Sequence, residues 1–162
     1  MLDKIRKIII NQDSEINAIW LMRQAGRYLP EFRKIRKKNP NFIELCLNKK
    51  LVPEITLQPL KRFELDGAII FSDILMVPYG MGQKVEFRKN FGPILGELDD
   101  KKLRTENKFT FENNLKPVYE SMKLLSNQLI GSPKSLIGFV GAPWTILVYM
   151  LNRQSPKKKD SK

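Results

Sequence analysis

Three short apolar runs separated by amphipathic stretches set the pattern of the chain. Ile16–Met22 (INAIWLM), Gly67–Phe71 (GAIIF) and Leu136–Val140 (LIGFV) are rich in β-branched and aromatic residues, and each is expected to form a buried strand. Between them the period lengthens. Pro30 is placed to open a helix over PEFRKIRKK, because a first-turn proline lacks only an N–H that would be unpaired there. Asn41 can cap a second short helix, FIELCLNKK. Pro53 can open a third, whose Ile55, Leu57, Leu60, Phe63 and Leu65 recur at mostly helical spacing, with a kink expected at Pro59. KVEFR at 84–88 alternates like a strand with one wet face, and the charged, turn-rich stretch 89–109 reads as loop. From Glu112 onward, Leu115, Val118, Tyr119, Met122, Leu125 and Leu129 draw one helical stripe, expected to face a core. Gly131-Ser132-Pro133 should stop that helix, and Pro143 can open a last one through Leu151. Gln154–Lys162 has no periodicity.

Strand, helices, strand, excursion, helix, strand, helix is the alternation of a parallel α/β fold. A (β/α)8 TIM barrel takes about 250 residues. With three core strands in 162 residues, the expectation is a single domain over 1–162 forming only the incomplete N-terminal portion of such a barrel, its C-terminal half missing. No internal repeat points to a solenoid.

Charge and cysteine content narrow the setting. The net charge of +12 is unevenly spread: residues 1–50 carry 12 Lys and Arg against 5 acids, residues 51–100 carry 5 against 8, and residues 101–162 carry 12 against 4. Basic ends suit a polyanionic partner without saying which, and much of the charge, Lys157–Lys159 above all, reads as solvated surface. Cys46 is the single cysteine, without a partner for a disulfide or a multi-cysteine metal site. The first ten residues lack the apolar core of a signal peptide, and no run approaches the roughly 18 apolar residues of a membrane span. A cytoplasmic protein with no membrane partner is expected.

Working residues of parallel α/β folds gather at the carboxyl ends of the strands. There the first strand is followed by Arg23 and Arg27, the second by Asp73, and the third by Gly141-Ala142-Pro143-Trp144 with Tyr149 beyond. Each has a plainer reading. A loop arginine is more often a surface ion-pair residue, Asp73 can cap the segment after it, and Tyr149 can be a core residue with a satisfied hydroxyl. Their common position raises the functional reading, which by spacing alone goes no further than a polyanion-binding α/β enzyme.

WLMRQAGRYLPEFRKIR at 20–36, TLQPLKRFELDGAIIFSDIL at 56–75 and LIGFVGAPWTILVYM at 136–150 closely resemble the uroporphyrinogen decarboxylase family, in the family's order. RQAGRY and FSDIL are the most specific of these signals, whereas 89–134 matches mainly in length and helical character. The resemblance implies a (β/α)8 barrel, usually a homodimer, that converts uroporphyrinogen III to coproporphyrinogen III by removing the carboxyl groups of four acetate side chains, with no cofactor and no metal. It implies that Arg23, Gln24, Ala25, Gly26 and Arg27 form the substrate loop, with Arg23 and Arg27 binding carboxylates and Ala25 offering backbone contact. Arg36 matches a further substrate-binding arginine and Tyr149 a substrate-contacting tyrosine. Asp73 matches the family's central aspartate, which should hold the pyrrole N–H groups, stay ionised, and stabilise the positive charge of a protonated ring. Arg23 joins it as a catalytic candidate, although a pKa above about 12 makes an arginine an awkward proton donor.

Two family features are absent: the C-terminal histidine, since the chain has none, and the glycine-rich stretch after the tyrosine helix, here Asn152-Arg153-Gln154-Ser155-Pro156. The first fits a partial chain, and the second puts the local loop in doubt. The competing readings are a corrinoid- or thiol-dependent methyltransferase of the same superfamily, which would hold zinc through histidine and cysteine, and a basic non-catalytic nucleic-acid-binding module. For the latter there is charge but no fingerprint, so no nucleic-acid partner is expected.

Overall fold

A computed structural model describes residues 3–88, 91–99, 101 and 108–155. The described elements run α1 (Lys4–Asn11), α2 (Pro30–Lys38), α3 (Phe42–Cys46), α4 (Leu51–Arg62), β1 (Gly67–Ile69), α5 (Met76–Gly80), β2 (Val85–Arg88), β3 (Gly92–Leu95), α6 (Lys108–Gln128), β4 (Ser135–Ile137) and α7 (Pro143–Asn152). They fall into two compact units, the first holding residues 1–40, 44–72 and 117–139 and the second residues 41–43, 73–116 and 140–162.

In the first unit β1 and β4 pair in parallel, Gly67 opposite Ser135 and Ile69 opposite Ile137. Helix α4 packs on β1, and its Val52, Ile55 and Thr56 are nearly inaccessible to solvent. Burying each such aliphatic side chain contributes about 1.5–3 kcal/mol. Thr56 ties the layers polarly as well: its Oγ1 donates to Val52 O at 2.7 Å and accepts the Phe71 N–H at 2.9 Å. Phe71 in turn meets Phe32 of α2 edge-on at 5.5 Å between ring centres. Helix α1, capped by Asp3 at the Arg6 N–H, was not anticipated, and it is joined to β4 by a hydrogen bond from Ser135 Oγ to the Asp3 carboxylate.

The expected strand at Ile16–Met22 is corrected here. Among the described residues the segment joins no ladder, and Ile19, Trp20, Leu21 and Met22 are exposed. Asp66 takes over its pairing: the Ile19 N–H donates to Asp66 Oδ2 at 2.8 Å, and the Asp66 N–H donates to Ile19 O at 2.7 Å. One carboxylate thus does the work of a neighbouring strand's carbonyl. Likewise only Ser135–Ile137 of the third apolar run is strand, and Phe139 and Val140 lie exposed beyond it. The second strand ends at Ile69 rather than Phe71.

Helices follow the sequence more closely. Helix α2 occupies Pro30–Lys38 as read, and Asn41 Oδ1 accepts the Ile43 N–H at 3.1 Å at the start of α3, which stops at Cys46 and not Lys50. Helix α4 starts two residues before Pro53 because Asn48 Oδ1 accepts the N–H groups of Lys50 and Leu51. It runs through Pro59 to Arg62. Helix α6 begins at Lys108, earlier than Glu112, and of its apolar stripe Leu115 and Leu125 are buried while Tyr119 is half exposed. Gly131 beyond it has φ +76°, a left-handed conformation that glycine adopts without penalty.

The second unit contains what the sequence reading left as loop. Residues 92–95 form β3, antiparallel to β2 with Val85 opposite Leu95 and Arg88 opposite Gly92. Gln154 bridges to Ile94, and the Leu95 N–H donates to Arg153 O at 2.8 Å, so the segment after α7 extends this small sheet. Residues 96–99 carry no regular structure, in keeping with a loop, Lys108 and Phe109 already belong to α6, and the parts of the readings over 89–109 and Gln154–Lys162 that fall on 89–90, 100, 102–107 and 156–162 lie outside the described residues. Gln83 is buried here, its amide donating to Gly96 O and Met150 O at 2.9 and 3.2 Å.

The residues that follow the strands

In the first unit the loop Arg23–Leu29 leads into α2 and is fastened to the body at its inner side. Gln24 is buried and donates Nε2 to Gly67 O at 2.9 Å, the first residue of β1. Tyr28 OH donates to Gln24 O, and the Leu29 N–H to Gly26 O at 3.0 Å. Leu29 is buried, closing the loop on an apolar pin. Arg33, one turn into α2, donates Nη1 to Arg27 O at 2.8 Å and Tyr28 O at 3.1 Å.

Outward, the same loop presents charge. Arg23 and Arg27 are exposed, and among the described residues neither guanidinium has a hydrogen bond or an ion pair. Ala25 and Gly26 lie partly exposed between them. Arg36 is half-buried and donates Nη1 to Asn39 O, at the end of its own helix. The side chain of Gln24, counted in the sequence as part of the substrate loop, is turned inward to β1, and the residue's backbone carbonyl accepts from Tyr28 OH. Glu31 and Arg62 form a two-pronged pair at 2.6 and 2.9 Å that joins α2 to α4, and the Arg62 hydrogen bond holds the Glu31 carboxyl down at about 2.

In the second unit Asp73 stands at the head of a turn. Its Oδ1 accepts the Leu75 N–H at 2.8 Å and its carbonyl the Met76 N–H at 3.1 Å, so the capping reading of this residue describes a bond that exists. One carboxylate oxygen is engaged by that bond, and a carboxylate has acceptor capacity for several. Burial pushes the Asp73 carboxyl above its ordinary value, and the Leu75 N–H opposes the shift without cancelling it. Against the expectation that Asp73 stays ionised stands the cost of burying its charge, which a cation or several N–H donors facing it would offset.

Residue 141 explains how two strand-end loops meet in this unit. A Cβ there would lie 2.4 Å from Ile146 Cδ1 and 3.1 Å from Ile74 Cβ, so glycine lets the start of α7 close on the residue next to Asp73. Ala142 caps α7, and its carbonyl accepts the Ile146 N–H at 3.0 Å. Ile146 and Met150 bury one face of α7. Tyr149 is half-buried, with its hydroxyl 3.4 Å from Ser155 Oγ, and Trp144 is exposed.

A cleft of about 370 Å³ in the first unit lies elsewhere, between Asp3, Arg6, Leu129, Lys134 and Leu136 at the amino end of β4. It holds none of the candidate residues, and parallel α/β folds place their chemistry at the opposite strand ends. Among the described residues no group of three His, Cys, Asp or Glu could hold a metal, and no helix is long and apolar enough to cross a membrane.

Tyr28, Arg33 and Gln83 were not singled out in the sequence. Tyr28 and Arg33 lie inside the RQAGRYLPEFRKIR motif, which was the available signal, whereas nothing marked Gln83.

Comparison with known proteins bears on the same residues. The family model described as Uroporphyrinogen decarboxylase (URO-D) matches residues 2–161. The chain is 46% identical to a uroporphyrinogen decarboxylase of Chelativorans sp. (strain BNC1) over 133 residues, 82% of this chain and 39% of that protein. It is 46% identical to that of Rickettsia felis over 153 residues, 90% of this chain and 42% of the relative. With the Brucella ovis protein it shares 43% over 148 residues, 91% and 43%. The chain spans about two fifths of the length of these curated relatives.

Proposed function

The chain belongs to the uroporphyrinogen decarboxylase family, and on that premise we propose that the protein containing it is a carboxy-lyase that converts uroporphyrinogen III to coproporphyrinogen III. The methyltransferase and nucleic-acid readings are not favoured by its relatives. In this reading the chain supplies the first part of a (β/α)8 barrel, cytoplasmic and homodimeric when whole. The parallel pair β1–β4, with α4 packed on β1, supports the barrel reading.

The observation that carries the proposal is the division of labour in the Arg23–Leu29 loop. Its inward groups are spent on fastening, while Arg23 and Arg27 remain exposed without partners among the described residues. Leaving two guanidinium groups unpaired on a fastened loop suits a ligand that brings its own carboxylates, each able to take a bidentate pair of N–H bonds. Uroporphyrinogen is such a ligand.

Asp73 is the complementary group. Four pyrrole N–H donors directed at one carboxylate would offset the burial that now raises its proton affinity, and protonation of a ring carbon would place a cation beside it. That charge is the electron sink into which the carbon–carboxylate bond breaks, releasing carbon dioxide. An anion held there before the reaction stabilises the transition state more than the bound substrate. Tyr149 and Arg36 are assigned contacts at the edge of the substrate.

The full-length protein containing this segment should release four carbon dioxide molecules per uroporphyrinogen III and yield coproporphyrinogen III, followed by chromatography of the oxidised porphyrins. A protein that folds and binds uroporphyrinogen yet yields no product with fewer carboxyl groups would refute the assignment.

A further inference from the structure

Arg33 occupies a position that electrostatics disfavours. It lies in the first turns of α2, after Leu29, Pro30, Glu31 and Phe32, where the helix presents its positive end and a cation is unwelcome. Its guanidinium gains no carboxylate partner there among the described residues. Instead one nitrogen donates to two successive carbonyls of the preceding loop, Arg27 O at 2.8 Å and Tyr28 O at 3.1 Å. Helical side chains lean toward the helix N-terminus, which lets Arg33 reach back five and six residues.

Those two carbonyls fix the peptide planes on either side of Tyr28 and so the backbone at Arg27. The other fastenings act elsewhere: Gln24 Nε2 on Gly67 O, Tyr28 OH on Gln24 O and the Leu29 N–H on Gly26 O. None of these holds the Arg27 carbonyl. Resting on the reading above, in which Arg27 binds a substrate carboxylate, we propose that Arg33 is a positioning residue that aims Arg27. It touches no substrate and acts by removing the freedom that Arg27 would otherwise lose on binding.

The test is a double-mutant cycle in the full-length protein, with uroporphyrinogen III as substrate. Arg27→Ala should raise KM by about 10- to 100-fold, the scale of a hydrogen bond to a charged group. Arg33→Met keeps the stem and removes the donors. It should raise KM several-fold with kcat within about twofold, because the interaction it serves is made before and during the reaction. On the Arg27→Ala background Arg33→Met should add nothing, since its effect runs through the missing side chain. Arg33→Lys retains one donor, should fall between wild type and Arg33→Met, and carries the cycle if the methionine variant does not fold. Additive effects on KM in either cycle, or an unchanged KM in both single Arg33 variants, overturn the inference and leave Arg27 in place. A silent Arg27→Ala removes the assignment of Arg27 itself, and the role of Arg33 falls with it.

Discussion

Thr56 and Asp66 show single side chains standing in for secondary structure. Thr56 Oγ1 accepts the N–H of the buried Phe71, just past the end of β1. Thr56→Val keeps the shape and removes that buried hydrogen bond, which should cost about 0.5–1.5 kcal/mol, read from the denaturant midpoint of the full-length protein. Asp66 is a stronger case because its bonds depend on charge. Burial alone would raise its carboxyl, but the Ile19 N–H, Lys4 and Lys134 outweigh it and the net direction is downward from 3.8. A carboxyl that holds its proton more weakly when folded stabilises the fold above its ordinary value, and that contribution drains away as pH falls through the folded one. Asp66→Asn should therefore lower the stability of the full-length protein near neutral pH, with the gap to wild type narrowing in acid. A gap independent of pH would show that only the shape of Asp66 matters.

At the scale of elements, legibility followed the locality of the signal. Pro30 and Pro143 mark the starts of α2 and α7 because what fits proline there is local, a missing N–H in the first turn. The apolar runs are not local in this sense. Ile16–Met22 looks like a strand, yet a strand exists only with a neighbour to pair with, and here the carboxylate and the backbone N–H of Asp66, both bonded to Ile19, occupy the place of a ladder. Strand β3 was missed for the opposite reason: Gly92 and Pro93 interrupt its pattern, but Pro93 is tolerable because its missing N–H falls on the side away from β2, where Leu95 too turns its N–H, to Arg153 O. Of the candidate site, the residue types were readable, as were the positions of Asp73 after β1 and of Gly141 to Trp144 after β4, whereas Arg23 and Arg27 follow a segment that joins no ladder. The fastenings were not, since neither the inward turn of Gln24 nor the reach of Arg33 to Arg27 O leaves a trace in spacing. The capping bond of Asp73 was readable as an alternative, and it coexists with an acceptor oxygen available to a ligand.

For the whole molecule, both units expose large apolar residues: Trp20, Leu21 and Met22 in one, Trp144, Leu147 and Leu151 in the other. Residues 1–162 purified alone should aggregate or stay partly molten and form no coproporphyrinogen, whereas a sharp cooperative melt of a monomer would contradict this. We propose that the protein containing this chain works by holding an anion at Asp73 against a ring that becomes cationic. Steady-state kinetics of Asp73→Asn in the full-length protein test it most directly, because asparagine keeps the size and an acceptor oxygen for the Leu75 N–H while removing the charge. The turnover number should fall by at least about 10²- to 10³-fold, the scale for losing one preorganised electrostatic group, with KM for uroporphyrinogen III changing far less. A folded Asp73→Asn enzyme whose kcat stays within a few-fold of wild type would contradict the account and leave Asp73 as the cap of its turn.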